Sequence, residues 1–391
     1  MTDQIARDVA ELRDQLVATR RDLHRVPELA FQERRTGALV ADRLDVLGWK
    51  VTRGVAETGV VGLLEGSQAG QTVMVRVDID ALPIQEPGGR PYGSKVDGVM
   101  HACGHDGHTA VGLAVAELLS GYRDLIKGQV KLVFQPAEEI AAGAARMIEE
   151  GVMEDPVVDR VLSFHLLSSL PVGHVVSQPG PIFSSADEIK ITVKGKGGHG
   201  GMPHLTVDPI MIASHVVTAL QVVLSREIPP SQATVLGFGT IHGGTAFNVV
   251  SDHVELTGTV RTLDDSIREQ IMKRTEEIAG AVASGFRGEA VFQHVRGVPV
   301  VVNDGSMARL VAEVAAPIVG EGNVVTITPS QLGDDVTLFL RKAPGCYFLV
   351  GCANAEKGIT ASHHSAEFDI DEDSLPIATR ILTEATLRCV T

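Results

Sequence analysis

Three apolar runs in the first half of the chain each end on ionisable side chains. Residues 73–77 (VMVRV) run into Asp78-Ile79-Asp80, residues 130–134 (VKLVF) into Gln135-Pro136-Ala137-Glu138-Glu139, and residues 157–164 into His165. Apolar runs of this length, bounded by turn signals and alternating with helix-like segments, read as buried strands of an α/β sheet. In open α/β sheets the binding crevice lies outside the carboxyl ends of the strands. Polar groups far apart in sequence are therefore expected to converge on one site.

The rest of the chain fits around those strands. Residues 4–24 and 33–47 read as amphipathic helices, separated by Val26-Pro27-Glu28 and stopped by Gly48, with His24 a structural residue or pocket wall. A glycine-rich loop at 87–98 leads to Met100-His101-Ala102-Cys103-Gly104-His105-Asp106-Gly107-His108. Cysteine and histidine are the side chains that bind borderline-soft divalent metals best, and in an extended segment Cys103 and His105 point the same way. From Gly107 an apolar run reads as a buried helix ending near Gly121, and residues 141–150 read as a further helix closed by Gly151. From Ala186 the order becomes strand 189–194, helix 208–226, strands 234–241 and 254–262, helix 264–286 and strand 289–295. Asp208-Pro209 and Asp264 supply the two helix starts, and this β-α-β-β-α-β order is that of a split β-α-β domain. After about residue 298 the α/β alternation resumes: helix 307–318, a loop through Gly333-Asp334-Asp335, strand 346–350, a loop carrying His363-His364, and a helix over 373–387. The expected organisation is a catalytic domain formed by 1–185 and 298–391, with 186–297 inserted into it.

Composition narrows the functional classes. At 391 residues the chain suits two domains, and 44% hydrophobic with 21% charged residues is ordinary for a globular protein, which disfavours disorder. No apolar run reads as a membrane span, and the charged, helix-like start does not resemble a secretory signal. A net charge of −15 repels phosphate backbones, so nucleic acid is not an expected partner. Four irregularly placed cysteines suit a reducing cytoplasm, and Cys346, Cys352 and Cys389 read as small buried hydrophobes.

Each candidate group has an ordinary explanation when taken singly. Adjacent glutamates are usually solvated, and a lone histidine after a strand is usually structural. Their common placement at strand ends and adjoining loops is harder to dismiss. Cys103, His105, Glu139, His165 and His364 would give five protein ligands, more than one catalytic zinc takes, and so imply two metal ions. A dinuclear site activates water and polarises a carbonyl, which makes hydrolysis the natural reaction. Glu138 is then free to act as general base, with Asp80 orienting a ligand imidazole.

Arg76 to Pro83 (RVDIDALP), His101 to His108 (HACGHDGH), Phe134 to Glu139 (FQPAEE), Phe164 to Leu166 (FHL) and Gly197 to His204 (GGHGGMPH) together resemble the dimetal amidohydrolases. That family includes hippurate hydrolases, N-acyl-amino-acid amidohydrolases and auxin-conjugate hydrolases of the metallopeptidase/aminoacylase superfamily. The resemblance runs from about residue 20 to 385. It implies a mixed-sheet α/β metallopeptidase-like catalytic domain with an inserted ferredoxin-like dimerisation or lid domain. It maps Cys103, His105, Glu139, His165 and His364 onto the metal ligands and Glu138 onto the catalytic base. His199 matches a histidine that, in related dimetal peptidases, reaches the partner subunit's active site to bind an oxyanion. Asn248 and Arg261 fall where relatives hold the substrate carboxylate. Two segments depart from the family pattern: Ala366-Glu367 follows His364-Ser365 where proline is common, and Gly333-Asp334-Asp335-Val336 replaces a Ser-Glu-Asp-Phe segment.

The resulting expectation is a cytoplasmic, homodimeric or larger amidohydrolase with two divalent ions (zinc, manganese or cobalt) that releases a carboxylic acid and an amino acid from an N-acyl or N-aroyl amino acid. Within the enzyme class the alternatives are an N-acetyl-diamino-acid deacetylase or an aminobenzoyl-glutamate hydrolase, with a carboxypeptidase for short peptides less favoured. Outside it stands a non-catalytic, metal-stabilised protein that binds acyl-amino acids.

Overall fold

In the computed structural model, which describes residues 1–391, the runs that end at Asp78 and Gln135 are adjacent parallel strands, Gln68–Asp78 and Lys127–Gln135. They belong to an eight-stranded mixed sheet ordered Lys50–Val55, Gly59–Glu65, Lys127–Gln135, Gln68–Asp78, Arg160–Pro171, Gly345–Ala353, Val175–Val176, Val324–Val325. The four strands from Lys127–Gln135 to Gly345–Ala353 are mutually parallel, so their carboxyl ends share one edge. Parallel strands covered on both faces read as continuous apolar runs, which is why these were visible in the sequence.

The chain forms two compact units, one of Met1–Ile182, Val302–Thr328 and Asp335–Thr391, the other of Phe183–Val301 with Pro329–Asp334. In the first, the His105–Gly121 helix is buried on almost every side and packs against the Arg13–His24 and Ser374–Val390 helices and the Gln68–Asp78 strand. Gly112 makes the helix–sheet approach possible, because a Cβ there would lie 2.9 Å from the side chains of Phe134 and Val77. The second unit has a four-stranded antiparallel sheet ordered Thr234–Gly243, His253–Thr262, Ala186–Lys194, Glu289–Val298, with helices Pro209–Val222 and Asp265–Gly285. Ile189, Ile191 and Val193 alternate inward along the Ala186–Lys194 strand, as a one-sided sheet requires. Asp208 and Asp264 cap their helices by accepting from the N–H groups of Ile210 and of Ser266 and Ile267.

Several boundaries differ from expectation. The central helix starts at His105 rather than near Gly107, so His105, Asp106 and His108 sit on its first turn rather than in a loop. The strand expected to stop at Phe164 runs on to Pro171, because its ladder with Gly345–Ala353 continues through His165, Leu166 and Leu167. His165 is thus within a strand. The first helix breaks at Leu12 into Thr2–Glu11 and Arg13–His24, and the helix after Glu139 begins only at Gly143. The hairpin Lys50–Val55/Gly59–Glu65 lies in a segment to which no strand was assigned. By length and composition the segment Pro209–Glu227 is apolar enough to cross a membrane, contrary to the expectation that no run has that character. In the fold its Ile212, Ala213, Val216, Leu220 and Val223 are buried in the second unit's core.

Candidate metal centre

At the carboxyl ends of the central strands, the first unit collects a thiol, three imidazoles and two carboxylates. Cys103 Sγ lies 3.5 Å from His165 Nε2, His105 Nε2 lies 3.9 Å from Glu139 Oε1, and His364 Nε2 lies 3.3 Å from Glu139 Oε2. The donor atoms form two groups that share Cys103, one completed by His105 and His165 and the other by Glu139 and His364, and within each group they lie within 4.8 Å of one another. Glu138 joins His105 and Glu139 in a third such group.

Hydrogen bonds set the tautomers. His105 Nδ1 donates to the Asp80 backbone carbonyl at 3.0 Å, and His165 Nδ1 to the Leu166 carbonyl at 2.6 Å, so in each ring Nε2 is the nitrogen that faces the other donors and offers its lone pair once it carries no proton. His105 Nε2 and Glu139 Oε1 are buried without a hydrogen-bond partner. Buried polar atoms are rarely left so, and a cation would engage both. A shared thiolate with imidazoles and a carboxylate is a donor set for divalent transition metals, and the residues present fit two ions.

Charge points the same way. Burial, then Glu139, Glu138 and Asp78, push the Cys103 thiol well above its ordinary range. Burial alone would depress His105, but Asp78, the bond to Asp80 and Glu139 outweigh it and push it up to about 10. The hydrogen bond to Glu139 raises His364, whereas burial and then His108 and His363 push His165 down. The carboxylates thus hold protons on neighbouring groups, and an arriving divalent cation would displace those protons.

The surrounding residues orient the donors. Asp80 Oδ2 accepts the Glu139 N–H at 3.0 Å and its Oδ1 lies 3.3 Å from His105 Nδ1, so one carboxylate steadies both. His108 is committed elsewhere: Nδ1 donates to Asp78 and Nε2 accepts the Leu166 N–H at 3.0 Å, which removes it from the donor set. His363 Nε2 likewise accepts the Ser168 N–H at 3.0 Å, leaving His364 as the member of the pair that meets Glu139. His24 is buried 2.8 Å from Asp106 in an ion network rather than at a pocket wall. Arg76, to which the sequence motif alone assigns no role, is fully buried and donates to Asp78, Gln135 and Asp335 at 2.8, 2.8 and 3.2 Å. Its position in a buried strand was the available signal, since a buried arginine must be paired.

His199, Asn248 and Arg261 belong to the second unit. Gly198–His199 pairs with Val249–Val250, and the Asn248 carbonyl accepts the Gly200 N–H at 2.8 Å, so this ribbon brings His199 and Asn248 together at the surface. His199 Nδ1 accepts from Gly201 at 3.0 Å, which leaves Nε2–H as an exposed donor. Arg261 is half-buried in the His253–Thr262 strand, where one guanidinium nitrogen donates to the Gln331 carbonyl at 2.8 Å.

A sheet that gathers two groups of candidate transition-metal donors over the ends of its parallel strands, with a further carboxylate beside them, is the framework of a dinuclear metal-dependent hydrolase acting on amide bonds. Residues 74–388 match Peptidase family M20/M25/M40, and the chain belongs to that family, as its motifs had implied. It is 40% identical over 381 residues to thermostable carboxypeptidase 2 of Saccharolobus solfataricus, covering 96% of each chain. It is 38% identical over 374 residues to an N-acetylcysteine deacetylase of Bacillus subtilis, covering 94% of this chain and 95% of the relative. Among solved structures it resembles the Bacillus subtilis YXEP protein, a dinuclear metal binding peptidase of the M20 family, with a TM-score of 0.85 and 34% identity over 97% of this chain and 99% of that one.

Proposed function

We propose that the protein hydrolyses the amide bond of N-acyl or N-aroyl amino acids, releasing a carboxylic acid and an amino acid. The observation that carries this reading is the contrast between two adjacent carboxylates. Glu139 faces His105 and His364 and leaves Oε1 buried without a hydrogen-bond partner, whereas Glu138, next to it on the same partly buried loop, is in reach of the centre but outside the two groups that share Cys103. Cys103, His105, Glu139, His165 and His364 would hold two divalent ions, zinc, manganese or cobalt, with Asp80 orienting His105. When bound, the ions supply Lewis acidity toward water and the scissile carbonyl. Glu138 takes the proton of the attacking water and returns it to the departing nitrogen. The exposed Nε2–H of His199 serves as a donor to the developing oxyanion, in a homodimer where the second unit serves as the dimerisation or lid domain. Asn248 and the remaining donors of Arg261 hold the α-carboxylate, where a local cation offsets the repulsion between an anionic substrate and a chain of charge −15. The names of the two curated relatives, a carboxypeptidase and a deacetylase of an N-acetyl amino acid, support a substrate whose amide nitrogen belongs to an amino acid with a free carboxylate.

The test is Glu138→Gln assayed against a library of N-acyl amino acids by mass spectrometry, after metal removal and reconstitution with zinc, manganese or cobalt. The variant should retain its metal and lose nearly all turnover. Near-normal turnover would remove Glu138 from its role, and inactivity of metal-replete wild type across the whole library would favour a binding protein over an enzyme.

A further inference from the structure

Glu33 occupies the N-cap position of the Arg34–Val46 helix, yet its side chain makes no cap. That task falls to Glu28, whose two oxygens accept from the N–H groups of Arg35 and Thr36 at 2.9 and 2.8 Å. The carboxylate of Glu33 instead turns inward and is completely buried. One oxygen accepts the N–H of Ala137 at 2.9 Å and the other accepts the hydroxyl of Thr58. Burial is costly enough to raise Glu33 to about 7 despite these bonds.

Ala137 is an unusual target for such a group. Its φ of +54° lies in the left-handed region, which costs a residue with a Cβ about 1–2 kcal/mol. It opens a tight loop: the Ala137 carbonyl accepts from Ala142 and Gly143, the Glu138 carbonyl accepts from Ala141 at 2.7 Å, and Ala141 is also left-handed at +53°. Gly143 admits no side chain, since a Cβ would fall 1.7 Å from the Pro136 carbonyl oxygen. This loop presents Glu138 and Glu139. Two carboxylates from outside it grip its backbone on either side of Glu138, Glu33 at the N–H of Ala137 and Asp80 at the N–H of Glu139.

We propose that Glu33 is a positioning residue for the catalytic base: its buried carboxylate holds the Ala137 N–H, stabilises the left-handed turn there, and fixes the backbone from which Glu138 reaches the substrate. The inference rests on the assignment of Glu138 as the base. Glu33 does not touch the metal donors, so its effect should appear in turnover rather than in substrate binding.

The experiment compares Glu33→Gln, Glu33→Leu and Glu33→Asp with Glu138→Gln, all metal-reconstituted, for kcat, KM and metal content. Glu33→Gln keeps an oxygen for Ala137 and can donate to the Thr58 hydroxyl, so it should stay near the wild-type kcat. Glu33→Leu removes the acceptor and should lower kcat by about 100-fold, the scale of an ångström-sized displacement of a catalytic group, with KM little changed. Adding Ala137→Gly to Glu33→Leu removes the Cβ penalty and should recover about fivefold in kcat. If Glu33→Leu does not fold, Glu33→Asp decides: it keeps the charge but draws the carboxylate back from Ala137, so it should lose kcat as Leu would. Wild-type kcat in Glu33→Leu or Glu33→Asp, or an equal loss in Glu33→Gln, overturns the proposal. Glu138→Gln separates the two readings. If it is inactive while Glu33→Leu or Glu33→Asp turns over normally, only the positioning role fails; if it is itself active, the base assignment fails first.

Discussion

Arg20→Met should destabilise the first unit through the loss of one buried cation. Arg20 lies on the inner face of the Arg13–His24 helix with no exposed surface, and donates to Asp106 at 2.8 Å, Asp369 at 2.8 Å and Glu372 at 3.2 Å. Asp106 sits on the first turn of the His105–Gly121 helix, and Asp369 and Glu372 lie between His364 and the Ser374–Val390 helix. The guanidinium thus ties together two segments that carry candidate metal donors. Methionine fills much of the volume but leaves Asp106, itself fully buried, with His24 as its remaining partner, and breaking a buried pair in this way costs about 3–5 kcal/mol. For a unit of about 270 residues, unfolding entropy near 2.1 cal/mol/K per residue converts that into a fall in Tm of about 5–9 °C. Acid sensitivity should shift too. Burial would raise Asp106, but Arg20 and then His24 outweigh it and hold its carboxyl well below the usual range. Its stabilisation is therefore present above the unfolded pKa of about 3.9 and lost as pH falls through the folded value. Without Arg20 the folded value rises, the contribution shrinks, and acid unfolding should begin at a higher pH. Calorimetry at neutral pH and an acid titration followed by circular dichroism measure both effects. A Tm within about 2 °C of wild type, with an unchanged acid midpoint, would show that Arg20 contributes no more than a surface ion pair.

Asp80→Asn should weaken metal binding by about 10–100-fold, because it removes the charge that steadies both His105 and the Glu139 backbone; competition with a chromophoric chelator measures this, and unchanged affinity would remove Asp80 from that role. Cys103→Ala should lower metal content by elemental analysis, because the thiol belongs to both donor groups. In the wild type, metal affinity should weaken as pH falls, since the ion must displace protons from a raised His105 and a raised Cys103; a pH-stat should record proton release on adding zinc, and none would contradict the assigned donors. His199→Ala should leave metal content unchanged and lower kcat by about 100-fold if its exposed Nε2–H meets the oxyanion. Wild-type kcat would exclude that role, and sedimentation of the same samples tests the dimer it requires.

What the sequence revealed and what it concealed follow from different physics. Parallel strands buried on both faces are mostly apolar, so the runs at 73–77 and 130–134 stand out despite Arg76 and Lys131, and the alternation of Ala186–Lys194 is equally plain. The edge hairpin Lys50–Val55/Gly59–Glu65 did not stand out, because its outer strand is mostly exposed and carries Lys50, Thr52, Arg53 and Gly54 among its valines. The strand around His165 looked complete at Phe164 because a histidine resembles an end. Its pairing with Leu349, 184 residues downstream, keeps it extended.

The centre shows the same division. Cys103, His105, Glu138, Glu139 and His165 could be singled out because metal binding and proton transfer demand a few residue types at strand ends, and few other pressures place those types there together. Glu33 and Arg20 carry no such mark, because a charged residue in or just before an amphipathic helix is ordinarily solvated and nothing local tells which will be desolvated, whereas Arg76 is marked by its place inside a buried strand. Arg20 is buried by partners 86, 349 and 352 residues away, and Glu33 by one 104 residues away. Substitutions at these supporting positions are therefore the sharper test of the structure. The donors would be suspected from any fold that gathers them, but an effect of Glu33 on turnover or of Arg20 on acid stability is expected only if the chain folds with these contacts.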